Sequence, residues 1–242
     1  TASCTVGRRN SCHAAMDTGA ASPELPELCG TQIQACYVEP VGFMVAWSGV
    51  LAVRFRGFPP QLVRLKELLE TGYKGLCAEG SGSKFPKSTL AALRADKRLD
   101  PSDLQRLQAV CAKASDRLQS LSLRLPVHRL SLVTYACRSL ENRLSTLPLP
   151  LGAAGEMDEA PPSEDQVHLS EAVSSETFQP TYWIHASRDG NREPHYREPR
   201  LGTTLVWDFN HLHTSDDMKM LLKELANFAE EVEHAAPDFY TF

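Results

Sequence analysis

The spacing of apolar residues changes period several times along this chain, and each change marks an element. Val41 to Phe55 is apolar and aromatic with Gly49 inside it, which predicts a buried strand bent at that glycine. Pro59 and Pro60 then open a segment in which Leu62, Leu65, Leu68 and Leu69 recur at helical spacing, while Arg64, Lys66, Glu67 and Glu70 fall on the other side. Proline costs little there, because a first-turn amide hydrogen has no partner inside the helix. Gly72 closes the helix. After the Gly80-Ser-Gly-Ser83 loop, Ser88 to Leu93 reads as the next strand.

Asp100-Pro101-Ser102-Asp103 combines a capping side chain, a first-turn proline and an acid near the positive end of the helix dipole. Leu104, Leu107, Val110, Cys111, Ala114, Leu118 and Leu121 keep helical spacing behind it. Val127 to Tyr135 and Leu144 to Leu151 predict two more strands. Over residues 41–151 the order is strand, helix, strand, helix, strand, strand. It predicts an α+β domain of split βαβ, ferredoxin-like form, with helices on one face of an antiparallel sheet.

The flanks read differently. Residues 1–40 are rich in Ala, Ser, Pro and Cys without sustained periodicity and read as an extended arm. From Ser145 to Ser187 there is no Lys or Arg, and Glu156, Asp158, Glu159, Glu164, Asp165, Glu171 and Glu176 accumulate, so residues 152–180 read as an acidic linker. Residues 181–242 read as a C-terminal extension. It holds two short strand candidates, Thr181 to Ala186 and Thr203 to Phe209, and a final helix capped by Thr214 or Ser215. Met218, Leu221, Leu222, Leu225, Phe228, Ala229 and Val232 form that helix's apolar stripe, and the tip is Asp238-Phe-Tyr-Thr-Phe242. Leu221, Leu225, Phe228, Phe239, Tyr240 and Phe242 together suit docking into a groove on a partner protein.

Composition narrows the function. The chain has 242 residues, 42% of them apolar, with 16 Pro and 14 Gly. No run approaches the roughly 18 apolar residues that would span a bilayer. A net charge of -5 and a pI near 5.9 argue against a dedicated nucleic-acid binder, which carries a broad basic surface for phosphates.

Seven cysteines leave at least one thiol free in any internal pairing, and no Cys-x-x-Cys occurs, which favours a reducing compartment. Cys77, Cys111 and Cys137 lie in core-like segments. Cys4, Cys12, Cys29 and Cys36 crowd the start at spacings that match no zinc knuckle. Arg8, Arg9 and several hydroxyl residues, with no acid before Asp17, resemble the surroundings of an organellar presequence cleavage point, so a mitochondrion or plastid is expected ahead of the cytoplasm.

Ser88-Thr-Leu90, followed by the loop and helix of Arg94 to Leu121, resembles the His-x-Thr-Leu strand and following helix of the 2H phosphoesterase superfamily, which includes RNA cyclic phosphodiesterases and 2′-5′ RNA ligase-like proteins. The resemblance covers about residues 43–151 and implies a 2H-like lobe. It also implies chemistry on a 2′,3′-cyclic phosphate, with one histidine from each lobe as base and acid and Thr or Ser hydroxyls on the phosphate oxygens. Lys87 stands at the first histidine position. A lysine of ordinary pKa is protonated at neutral pH and is a poor base.

His168-Leu-Ser170, His185-Ala-Ser187 and His213-Thr-Ser215 each satisfy His-x-Ser, but Glu171, Arg188 and Asp216 follow where a strand would continue apolar. An active enzyme would use Lys87, Thr89, His168 and Ser170. The expectation is that it is not one.

Other chemistry is thinner. Asp208-Phe-Asn-His-Leu-His213 could aim His211 and His213 the same way along a strand, with Asp208 or Asp217 adding a carboxylate, but a strand end beside a helix start explains these residues as well. No cofactor is expected. Arg188, Arg192, Arg197 and Arg200, interleaved with His195 and Tyr196, could hold phosphate or RNA, or pair with an acidic protein surface. The loop ending in Lys84 lacks the spacing of a phosphate-cradling loop, and no Gly-x-Ser-x-Gly elbow is present. The sequence therefore predicts a non-catalytic accessory subunit of a larger, organellar assembly whose partners are other protein subunits. An RNA 2′,3′-cyclic phosphodiesterase and an RNA-binding module using residues 188–200 are the alternatives.

Overall fold

In the computed structural model, residues 3–6, 24–46, 49–72, 85–152, 157–179, 192–208 and 215–242 are described. The strands are β1 (Ser3–Val6), β2 (Ala35–Val38), β3 (Pro40–Val45), β4 (Leu51–Phe55), β5 (Lys87–Leu93), β6 (Leu125–Val127), β7 (Arg129–Cys137), β8 (Arg143–Pro150), β9 (Met157–Asp158), β10 (Pro199–Asp208) and β11 (Tyr240–Thr241). The helices are α1 (Glu24–Gln32), α2 (Pro60–Gly72), α3 (Pro101–Ser120), α4 (Glu164–Glu176), α5 (Glu193–Arg197) and α6 (Asp216–Ala235). The α+β class and the antiparallel sheet stand as expected. The large sheet runs β3-β4-β5-β1-β10-β7-β8, every neighbour antiparallel, with β11 added beside β5. A small sheet, β6-β2-β9, lies apart from it.

Strand β10 overturns the expected boundary at residue 151. It inserts between β1 and β7, with Leu205 opposite Leu132 and Trp207 opposite Cys4. Thr204, Leu205, Val206 and Trp207 are all buried, as residues of an interior strand are on both faces. The C-terminal segment is thus the middle of the sheet. Helix α6 packs on α3 and brings Phe228 against Phe43, rings 4.1 Å apart and nearly parallel. Across the same core Phe55 meets Trp207 edge-on at 6.4 Å.

The flanks are also more ordered than composition suggests. Residues 24–38, expected in an extended arm, form α1 and β2, with Leu25, Cys29 and Ile33 buried along one helical stripe. Pro26 fits because it sits in the first turn, where amides are unpaired. Within the expected acidic linker, Ser163 caps α4 through Gln166 N–H at 3.4 Å, and Glu164 and Asp165 suit the positive end of its dipole. The strands on either side of α2, β4 and β5, are antiparallel neighbours. In a split βαβ unit they would run parallel with another strand between them.

Both edges of the large sheet are managed. At β3 the Phe43 N–H donates to Ser115 Oγ at 2.8 Å and Gln119 Nε2 donates to Val41 O at 2.9 Å, so α3 covers groups that could otherwise pair with another chain. Gly42 permits this approach, since a Cβ there would lie 2.8 Å from Ser115 Oγ. At β8, Pro148 and Pro150 remove two backbone donors.

Helix α3 is fixed by a capping box between Asp100 and Asp103. Arg117 bridges it to Glu224 and Glu231 of α6 at 3.2 and 3.0 Å. Phe228→Ala is expected to cost about 3–5 kcal/mol, read as a lowered urea midpoint, because the cavity it leaves lies under a stacked ring. A chain ending at Leu151 is expected to show no cooperative melt, since β7 and α3 both lose their partners. A sharp melt of that fragment would mean residues 41–151 fold alone.

Candidate functional site

Alternation along β5 places Lys87 and Thr89 on one face and Ser88 on the other, where Ser88 is buried beside Val53. Lys87 lies opposite Arg54 of β4 in register, and its ammonium sits 4.9 Å from the centre of the Phe85 ring. Arg54 is held below its ordinary pKa by burial, partly offset by Glu171. The two cations therefore share one position of the sheet, on the face where Arg54 meets Ser170 of α4.

The second half of the phosphoesterase pattern is placed otherwise. His168-Leu-Ser170 lies in α4, and residues two apart on a helix are separated by about 200° around its axis. His168 is exposed, whereas Ser170 is fully buried. The Ser170 hydroxyl donates to Phe55 O at 2.8 Å and accepts from Arg54 Nη1 at 3.2 Å, so both of its bonds pin α4 to β4. On a strand the same triplet would present both side chains together; on this helix it separates them. The structure brings Lys87 and Thr89 to one face and sends His168 and Ser170 to opposite sides of another element.

The carboxylates considered for a metal are engaged by arginines. Arg143 grips Asp208 with two bonds, 3.0 and 2.9 Å, and Asp208 in turn raises the Arg143 pKa. Asp217 accepts the backbone amide N–H of Arg124 at 3.0 Å. His211 and His213 lie outside the described residues, as do His185, the loop ending in Lys84, and the strand expected at 181–186.

Of the arginine cluster, Arg188 lies outside the described residues. Arg192 begins α5 half-buried, with a buried Nη2 that has no hydrogen-bond partner among the described residues, Arg197 pairs with Glu193, and Arg200 is exposed. The structure adds Arg138 from the β7–β8 turn, whose Nη1 donates to His195 O at 3.3 Å. A contact 57 residues distant leaves no local trace in sequence.

The docking surface expected at the C-terminus needs correction. Leu221, Phe228 and Tyr240 are buried within their own chain, because the α6 stripe faces α3 and β3 and the tail pairs with β5. Leu225 and Phe239 are half-buried against the same core. Phe242, 54% exposed, is the one residue of that set left facing solvent. Leu144, Phe178 and Leu201 are comparably exposed and were missed, since isolated apolar residues in strands or at a helix end read as core.

A surface groove of about 780 Å³ runs between α3 and α6 over Ala109, Val110 and Ala235. Its walls are charged, and Lys113 and Arg117 both reach Glu231. Among the described residues no group of three His, Cys, Asp or Glu could hold a metal, and no helix is long and apolar enough to cross a membrane.

No family model matches the chain, and neither the curated proteins nor the solved structures offer a match.

The four described thiols divide by environment. Burial pushes Cys29 up to about 11 and Cys36 and Cys111 up to about 12, with Asp158 adding to the effect at Cys36. At Cys137 burial also pushes upward, but the Ser139 hydroxyl and the Asn142 and Glu141 amides outweigh it, and the thiol lies below its ordinary value. A lower pKa means more thiolate near neutrality. Among these four, Cys137 is expected to alkylate first with iodoacetamide at pH 7.5, by peptide mapping. Faster labelling of Cys111 would contradict this picture of the core.

Proposed function

We propose that this protein is a non-catalytic accessory subunit of a larger protein assembly. The observation that carries this reading is the failure of the two half-motifs to converge. Lys87 occupies the place of a base, and the only described His-x-Ser triplet, His168 to Ser170, turns its two side chains to opposite sides of α4. Phosphodiester cleavage of the 2H kind needs a base and an acid on either side of one phosphate. Without that pair the value of the fold lies in its surfaces. On this reading the likeness to 2H phosphoesterases is confined to the pattern around Ser88 to Leu90, because β4 and β5 are antiparallel neighbours rather than a βαβ pair, and an organellar assembly remains the proposed setting.

Exposed Leu144, Phe178, Leu201 and Phe242 supply apolar contact points for protein neighbours. A second reading, an RNA-binding module, draws support from Arg138 joining Arg192, Arg197 and Arg200 at one end of the sheet. The net charge of -5 weighs against it as the main role.

The test has two arms. Incubated with a 2′,3′-cyclic nucleotide, the protein is expected to leave it intact, and Lys87→Ala to change nothing. Native purification from its source is expected to bring defined protein subunits along in fixed ratio. Turnover abolished by Lys87→Ala would overturn the reading. Binding to single-stranded RNA that weakens steeply with salt would favour the second reading instead.

A further inference from the structure

The chain reverses after α6 through Pro237 and Asp238 and lays its last residues along β5. Tyr240 and Thr241 pair antiparallel with Leu93 and Ala92, and Arg94 N–H donates to Phe239 O at 2.9 Å. The Tyr240 ring is buried, and its hydroxyl donates to Gly49 O at 2.8 Å. Gly49 has φ of +78°, and a Cβ there would lie 2.4 Å from Leu93 Cδ1, so the carbonyl is presented by a turn that glycine alone forms without displacement. Burial keeps the phenol well above its ordinary pKa, and it remains a donor.

This edge of β5 is shared. Strand β1 pairs near its start, at Lys87, and the tail pairs at its end. Main-chain pairing at an edge together with one anchoring side chain in a slot is the arrangement by which extended peptides are recognised through strand addition. The tail displays the ligand chemistry that fits: a phenylalanine, a tyrosine, a small hydroxyl residue and a second phenylalanine.

Its hold is slight. Only two residues pair, Asp238 carries φ of +62° although it is not glycine, its ion pair with Arg94 is solvent-exposed, and Phe242 is 54% exposed.

We propose that the end of β5, with the Gly49 carbonyl, is a strand-accepting site for an extended Phe-Tyr-Thr-Phe-like segment of a partner protein, and that residues 237–242 occupy it in cis as a displaceable plug. The site stands on this geometry alone and does not rest on the accessory-subunit reading.

The probe is a labelled peptide of residues 237–242, Pro-Asp-Phe-Tyr-Thr-Phe, titrated by fluorescence anisotropy into the full chain and into a chain ending at Ala236. The shortened chain is expected to bind it. The full chain is expected to bind at least about tenfold more weakly, because a tethered tail competes at an effective concentration in the millimolar range. Phenylalanine in place of the peptide tyrosine is expected to weaken binding severalfold by removing the bond to Gly49 O.

If the shortened chain loses its native circular dichroism, the full chain carrying Tyr240→Ala takes its place. Either vacated chain, folded but indifferent to the peptide, overturns the proposal, as does a full chain that binds as tightly as the shortened one. A full-length dimer dissolved by the peptide overturns the partner assignment in favour of tail exchange between copies.

Discussion

Hydrogen bonds hold β10 inside the large sheet, to β7 along Pro199–Val206 and to β1 along Leu205–Asp208. An interior strand must satisfy its amides and carbonyls on two neighbours at once, so residues 129–137, 199–208 and the start of the chain can only assemble together. Trp207 then lies under the core, and α6, which follows it, is delivered onto α3. From this pairing comes the rest of the arrangement: Phe43 stacked on Phe228, the Arg117 bridges between helices, and a tail placed to reach β5. None of the described C-terminal elements is an appendage to an α+β domain ending at residue 151.

The elements with strong local signals were legible. Helix α3 announced itself through Asp100, Pro101 and Asp103, and the structure shows the complete capping box. The apolar stripe of α6 and the alternating strand β7 were equally plain. What escaped was set by distance or by small numbers. Helix α1 and the residue after it offer a short buried stripe, Leu25, Cys29 and Ile33, amid Pro and Gly, and α4 shows an acidic surface whose buried side rests on Ser170 and half-buried neighbours. The central place of β10 depends on partners some 70 residues away in sequence and on the first strand of the chain. Periodicity can predict that such a strand exists but not whom it pairs with.

The candidate chemistry teaches the same lesson at the scale of three residues. A His-x-Ser triplet is a paired presentation on a strand and a divided one on a helix, and His168 to Ser170 is on a helix. Lys87 and Thr89 do share a face, as their strand requires. The aromatic tip at Phe239 to Phe242 was legible as a docking element, yet the surface it docks on belongs to its own chain, because Gly49 and Leu93 form the slot. Motif spelling fixed the residue types; secondary structure decided which of them could meet.

Residue-resolved amide hydrogen exchange of the full chain is the most direct test of the central claim. If β10 is an interior strand of one cooperative body, the amides of Thr204 to Trp207 exchange as slowly as those of Leu130 to Val133. Rapid exchange throughout residues 199–242, with residues 41–151 still protected, would show that the C-terminal segment is peripheral after all and would contradict the account.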